Sequence, residues 1–310
     1  MQEKINSLFG ITAPDAAVIN VRDTIDGPVP NIDPNYIFEP MVLKRILLWL
    51  GPKTPRKNIF LLGEAGVGKT SLPLEVCGRL RTPVWSVSCS GKTRFEHLVG
   101  AMCLVDGNTK WVDGPLTAAM RAGGVFLANE ITRMDPGEQM RLVDILDQRS
   151  RLTIGETGEV IEPAADFRVA VTGNSGGHGD ESGAYAGEKV GSFAFYDRFI
   201  KIKMEPLSED AEKALLGKHA PGLPEQIRDG MVSLARQIRE SFVGNGGALR
   251  ITISPRSLID WGKLACEYRL MSGLDPVKDS LKDIILNGSP EEDARVVMEI
   301  YENWVNGNQP

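Results

Sequence analysis

Residues 63–70 carry Gly63, Glu64, Ala65, Gly66, Val67, Gly68, Lys69 and Thr70, a G-x-x-x-x-G-K-T run at the end of the apolar stretch 58–62. Glycines at these places let a loop turn successive backbone N–H groups inward around an anion, because glycine adopts positive φ at little cost. Lys69 supplies a point charge for β- and γ-phosphates and Thr70 a hydroxyl for Mg²⁺, and the helix predicted to follow adds its positive N-terminal end. A nucleoside triphosphate with Mg²⁺, in practice ATP, is the ligand this spacing predicts.

Further on, Val125, Phe126, Leu127 and Ala128 lead into Asn129 and Glu130. A phosphate-loop hydrolase carries an Asp here to order Mg²⁺, then a Glu that polarises the attacking water. Glu130 fits the second role, its alternative being a strand-end carboxylate in solvent. Asn129 is a neutral amide in the first, so binding is expected to survive better than turnover. A third buried run, 167–172, ends at Gly173 and Asn174, whose amide is placed to orient water against a γ-phosphate; Gly-Asn is also ordinary turn chemistry. Arg198, between Asp197 and Phe199, is a candidate finger toward a neighbour's γ-phosphate or a plain surface arginine. Arg256 follows Ser254 and Pro255, an N-cap and first-position pair, and is either a phosphate contact or a structural ion-pair member.

The elements that must hold these residues alternate between strand and helix. Short apolar strands are expected at 58–62, 83–89, 124–128, 167–172 and 199–203, with a helix over 70–80 after the loop. That pattern predicts an α/β fold, a three-layer αβα core around a parallel five-stranded sheet. Asp135, Pro136 and Glu138 predict an N-cap, first position and capping box, with Met140, Val143, Ile145 and Leu146 as the buried helix face. Two hairpins, 101–112 and 152–161, interrupt the alternation and either face partners or merely decorate the surface. Residues 1–36, with Pro14, Pro28, Pro30 and Pro34, read as an extended N-terminal arm with at most one short helix. Residues 37–205 read as the core, and 206–310, where strand signals fade, as an all-helical lid domain.

Composition narrows the class. At 310 residues the chain suffices for one large core and a smaller domain, and 25% charged residues are ordinary for a soluble protein. No apolar run is long enough to cross a bilayer and residues 1–10 lack a signal pattern, so a cytoplasmic location is expected. The four cysteines are spread along the chain without C-x-x-C, and the three histidines are scattered, which argues against zinc or a disulfide frame. Three of the thiols lie in apolar segments where burial is the default. A net charge of −6 argues against a nucleic-acid duplex as partner.

With these residues in place the chain resembles AAA+ ATPases of the MoxR and dynein-related group, and within it the CobS-type cobaltochelatase subunits. The resemblance runs through Leu8 to Ile11, Val29 to Phe38, the phosphate loop, His97 to Gly100, Asp113 to Leu116, Arg168 to Asn174, His178 to Tyr185, Asp197 to Phe199 and Ser254 to Arg256. It implies Asn174 as first sensor, Arg198 as the finger acting in trans, Arg256 as second sensor, and the 101–112 hairpin as part of a pore-facing insert. It also implies assembly into a ring, usually a hexamer, and work with a von Willebrand factor A domain protein. Asn129, where the group has Asp, is the departure. Three readings follow: an ATP-driven ring that remodels or loads a partner, an ATP-held scaffold with little turnover, or the ATPase subunit of a cobaltochelatase.

Overall fold

The computed structural model describes residues 1–147, 150–179, 187–242, 247 and 249–307. Contacts divide the chain into two compact units, one carrying the sheet up to Glu205 and a helical one from Pro206 onward.

The chain starts with β1 (Gln2–Lys4), α1 (Ile5–Phe9) and β2 (Val18–Asn20), and the two strands pair antiparallel. Residues 1–36 are therefore more than an extended arm. Phe9 and Phe38 meet edge-to-face at 5.3 Å, and Val21 is buried. Proline-rich spacing hides this pairing, because three-residue strands hold only through contacts with the rest of the domain.

α2 (Pro40–Leu50), capped by the Glu39 carboxylate, precedes β3 (Asn58–Leu62), α3 (Ser71–Arg79) and β4 (Val84–Ser88). The arm is strapped onto α3: Asp33 N–H donates to Glu75, Arg79 Nη2 donates to Asp33 O at 2.8 Å, and Gly78 leaves room for Pro30 O and Ile32, which a Cβ would meet at 2.7 and 2.6 Å. Val84 N–H donates to Pro28 O at 2.8 Å, so the arm also covers the edge of β4.

α4 (Phe95–Val99) leads to the hairpin β5 (Gly100–Val105) and β6 (Asn108–Asp113). Its two-residue turn, Asp106 and Gly107, has φ of +53° and +78°, the left-handed pair that matches strand twist. Cys103 is exposed on it, whereas Cys77 and Cys89 are buried, so burial holds for fewer of the thiols than expected.

α5 (Pro115–Ala122) and β7 (Val125–Asn129) are followed by a short 3₁₀ turn (Ile131–Arg133), α6 (Pro136–Met140) and α7 (Val143–Leu146). Asp135 caps α6 through Gly137 N–H, as expected. The capping box does not close: Glu138 turns to Phe95 N–H at 2.9 Å and to Arg94. Of the expected face, Ile145 and Leu146 are buried and Val143 packs on the core, but Met140 is exposed and Gln139 is buried in its stead, its amide donating to Ile131 O and Met134 O. The chain breaks into two short helices here, so one continuous 3.6-residue period does not apply.

β8 (Leu152–Thr153) and β9 (Val160–Ile161) form the second hairpin; β10 (Arg168–Gly173), α8 (Phe193–Tyr196) and β11 (Ile200–Lys203) complete this unit. The five-stranded sheet has the order β11-β3-β10-β7-β4, every pairing parallel. Crossovers to both sides of β3 put β10 at its centre, between the phosphate-loop strand and β7.

The helical unit comprises α9 (Glu209–His219), α10 (Glu225–Glu240), α11 (Pro255–Tyr268), α12 (Pro276–Leu281) with a π turn over Lys282–Leu286, and α13 (Glu291–Gly307). Its core gathers Leu216, Met231, Leu234, Ile238, Leu258, Trp261 and Val297. Inside it Glu212, fully buried, takes Arg239 Nη2 at 2.8 Å and Arg236 Nη1 at 3.1 Å, a pairing its burial requires.

At the start of β10 the Arg168 guanidinium is also buried, and carbonyls surround it. It donates to Trp49, Leu50 and Gly51 at the C-terminal end of α2, and to Ala165 and Phe167. Those are orphan carbonyls at the negative end of a helix, so one cation satisfies several acceptors at once. Arg168→Ala is expected to cost roughly 2–4 kcal/mol, because the carbonyls stay buried without donors. That lowers Tm by roughly 5–15 °C in a unit of this size. ATP affinity is expected to hold, since this end of the sheet is opposite the loop; scanning calorimetry beside a nucleotide titration checks both.

Candidate functional site

The site forms where the C-terminal ends of β3, β10 and β7 lie side by side. Leu62 of β3 pairs with Gly173 of β10, so Gly63 and Asn174, the next residue of each strand, emerge together. Gly63, Gly66 and Gly68 have φ of +147°, +83° and +90°, as the loop chemistry requires. Lys69, only 6% exposed, donates from Nζ to Gly63 O at 2.8 Å, Glu64 O at 2.6 Å and Asn174 Oδ1 at 2.8 Å. Three acceptors fill its three N–H bonds. Burial pulls the Lys69 pKa down, and the charges of Glu130, Glu188 and Glu64 partly offset the shift. A γ-phosphate beside it favours the ammonium further.

On the other flank Thr70 Oγ1 donates to Asn129 Oδ1 at 2.8 Å, while Asn129 Nδ2 donates to Ser86 Oγ at 2.9 Å. Ser86 on β4 thereby orients the amide oxygen toward the loop. Sequence reasoning paired Thr70 with Asn129 but missed Ser86, whose only signal is a hydroxyl among apolar strand neighbours. Mg²⁺ keeps several waters and needs one or two protein oxygens beside phosphates, so a hydroxyl next to an amide oxygen fits it. Among the described residues no group of three or more His, Cys, Asp and Glu side chains gathers as a metal site.

Glu130 has φ +56° and ψ +41°, the left-handed region, a strained conformation for a non-glycine residue. Thr172 Oγ1 holds its N–H at 3.0 Å. Its Oε2 lies 3.1 Å from Arg133 Nε, an ion-pair distance without hydrogen-bond alignment. The side chain as a whole is one-third exposed, while Oε2 itself is buried.

Arg198 is not beside its own loop. Its carbonyl accepts from Asn58 Nδ2 at 3.1 Å, at the opposite end of β3, roughly 16 Å of strand from Gly63. Its guanidinium grips Asp147 through Nε–Oδ1 at 2.7 Å and Nη2–Oδ2 at 3.2 Å. It borders a groove of about 1050 Å³ lined also by Arg56, Lys57, Arg151 and Glu162. Arg256 takes the second position of α11 in the helical unit, with Ser254 capping through Ser257 N–H at 3.1 Å. Of the stretch 178–185, His178 pairs with Val190 as an isolated bridge, and Asp180 to Tyr185 lie outside the described residues.

Residues 58–199 match the AAA domain of the dynein-related subfamily, and residues 212–279 the CbbQ/NirQ/NorQ C-terminal domain. A Staphylococcus epidermidis protein without assigned function is 30% identical over 67% of this chain and 78% of its own length. The chain belongs to the dynein-related AAA family. This AAA+ protein is also similar to the aerobic cobaltochelatase subunit CobS of Sinorhizobium, 28% identical over 89% of the chain and 83% of CobS. NorQ of Paracoccus denitrificans is 29% identical over 58% and 64% of the two chains. In fold, RuvB of Thermotoga maritima superposes with TM-score 0.53 at 16% identity, over 86% of this chain and 77% of RuvB. The expected family and the αβα core with a helical region after it are thus those found. No described helix of this AAA+ protein is long and apolar enough to cross a membrane.

Asn129→Asp places a carboxylate against Thr70 and is expected to tighten the Mg²⁺-dependent part of ATP binding about three- to tenfold, as one added charge does at a partly solvated site. ATP titrations with Mg²⁺ and with EDTA check it; equal shifts in both would rule out a role for Asn129 at the metal.

Proposed function

We propose that this AAA+ protein binds ATP with Mg²⁺, assembles with copies of itself into a ring, and hydrolyses ATP between subunits to reshape or load a partner protein. The observation that carries this reading is the split of the two cations. Lys69 and Asn174 converge on one end of the sheet, whereas Arg198 stands at the other end and is too far to serve its own loop. Arg198 can then act on a γ-phosphate only in a neighbouring copy.

Thr70 and Asn129 would hold Mg²⁺, which supplies charge compensation at the β- and γ-phosphate oxygens. Gly63 to Thr70 hold the phosphates through backbone N–H groups, and Lys69 balances the charge that grows on the γ-phosphoryl oxygens. Glu130 takes a hydrogen bond, and then the proton, from the attacking water. Asn174 fixes the direction of attack, and a neighbour's Arg198 neutralises transition-state charge after leaving Asp147. Arg256 contributes a cation from the helical unit. Similarity to CobS makes a metal-chelatase complex one candidate target, and a von Willebrand factor A domain protein is the partner class that the resemblance implies.

A second reading, an ATP-held scaffold with slow turnover, is favoured by one observation: the residue beside Thr70 is a neutral amide held by Ser86.

Turnover per subunit is expected to rise with protein concentration. Lys69→Ala abolishes it through lost ATP binding. Arg198→Ala lowers it about a thousandfold while ATP still binds. Mixing the two inactive variants restores part of the activity, because one supplies an intact loop and the other an intact finger. No recovery on mixing, in a chain that is active alone, would place the finger in its own subunit and refute the shared site.

A further inference from the structure

Glu188 lies between Gly187 and Lys189, and no motif marks it. Its half-buried carboxylate takes four donors. Oε1 accepts from Thr132 Oγ1 at 2.9 Å and from Asn174 N–H at 3.1 Å. Oε2 accepts from Ser175 N–H at 3.0 Å and from the Ser175 hydroxyl. Two donors on each oxygen nearly fill a carboxylate's acceptor capacity, and charge-assisted bonds to consecutive backbone N–H groups are among the stronger ones.

The bonded groups belong to separate segments. Thr132 is in the turn just after Glu130, and Asn174 and Ser175 form the turn just after β10. The Glu188 segment is held in return, with Lys189 N–H donating to Thr132 O at 2.9 Å and Lys189 Nζ 3.3 Å from Asp135. Gly173 makes the approach of Thr132 to β10 fit, since a Cβ there would lie 2.7 Å from Thr132 Cγ2. Past the sheet end the β10 chain has no ladder partner, so the Glu188 bonds fix the direction in which Asn174 leaves the strand. Asn174 then sets its amide oxygen 2.8 Å from Lys69 Nζ.

We propose that Glu188 is a positioning residue for hydrolysis: its carboxylate clamps the turn after β10 to the turn after Glu130, and so holds Asn174 in line with Lys69 and the γ-phosphate. This rests on the ATP-hydrolysis reading above. Glu188 acts through Asn174, whose backbone N–H it holds.

Glu188→Gln keeps size and shape but leaves one acceptor oxygen and adds two donors, so it cannot hold both backbone N–H groups and the Thr132 hydroxyl. The expected result is a kcat about ten- to a hundredfold lower, with ATP dissociation constant within about threefold of wild type, as displacing a group in a reactive geometry gives. Two further readouts separate positioning from plain folding support. Amide hydrogen exchange of a peptide spanning 172–176 is expected to speed up in the variant while the rest of the sheet stays protected. In an Asn174→Ala background, Glu188→Gln is expected to slow turnover no further, because the two residues act as one unit.

An unchanged kcat, or a loss that multiplies with that of Asn174→Ala, overturns the proposal. A fall in ATP affinity and sheet protection as large as the fall in kcat also overturns it, since Glu188 would then only support folding. A wild-type chain that binds ATP without turnover at any concentration overturns the hydrolytic reading instead. Exchange at 172–176 then still decides whether Glu188 holds Asn174.

Discussion

An ammonium taken out of water must find an oxygen for each of its N–H bonds, and the surroundings of Lys69 follow from that demand. Two of its acceptors are carbonyls of its own loop and come with the local backbone path. The third, Asn174, is distant in sequence and arrives only because β10 is laid next to β3 in register, with Gly173 opposite Leu62. The strand order thus decides the electrostatics of the site. Exchange β10 and β7, and the chain leaving the strand beside Gly63 would carry Asn129 and Glu130 in place of Asn174.

Buried cations mark both ends of the central strand, and they are solved differently. At the functional end, Lys69 is surrounded by groups that a phosphate can replace. At the opposite end, Arg168 is enclosed by carbonyls that no ligand reaches, and it binds α2 to the sheet. A parallel sheet favours this division, because loops at the C-terminal ends of its strands are free to bind while the other ends are closed off by packing. Arg198 belongs to the second end, which is why its side chain faces away from its own loop and toward a groove.

The turns beyond the strands carry a different kind of constraint. Glu130 adopts a left-handed conformation that a non-glycine residue does not take without support. Thr172 Oγ1 accepts from its N–H, and two residues on, the Thr132 hydroxyl donates to the Glu188 carboxylate, which also accepts from the N–H groups of Asn174 and Ser175. Polar residues spread along the chain so become one hydrogen-bonded network above the sheet.

The loop 63–70, the strands around it, the Asp135 and Ser254 caps and the tight turn at Asp106 and Gly107 were all legible, because each is encoded within a few consecutive residues by φ preference, apolar period or a capping side chain. The pairing of Thr70 with Asn129 was legible too, since both follow buried strands at known offsets. Other features were not. The β1–β2 pairing, the use of Glu138 on Phe95 rather than on its own helix, the burial of Gln139 and the roles of Ser86 and Glu188 depend on which segments become neighbours. The sequence by itself determined the chemistry on offer and the local backbone that carries it. Tertiary structure alone decided which carboxylate faces which N–H and which arginine is too distant for its own loop, because strand order and register are set by packing of the whole sheet and no short window of residues contains them.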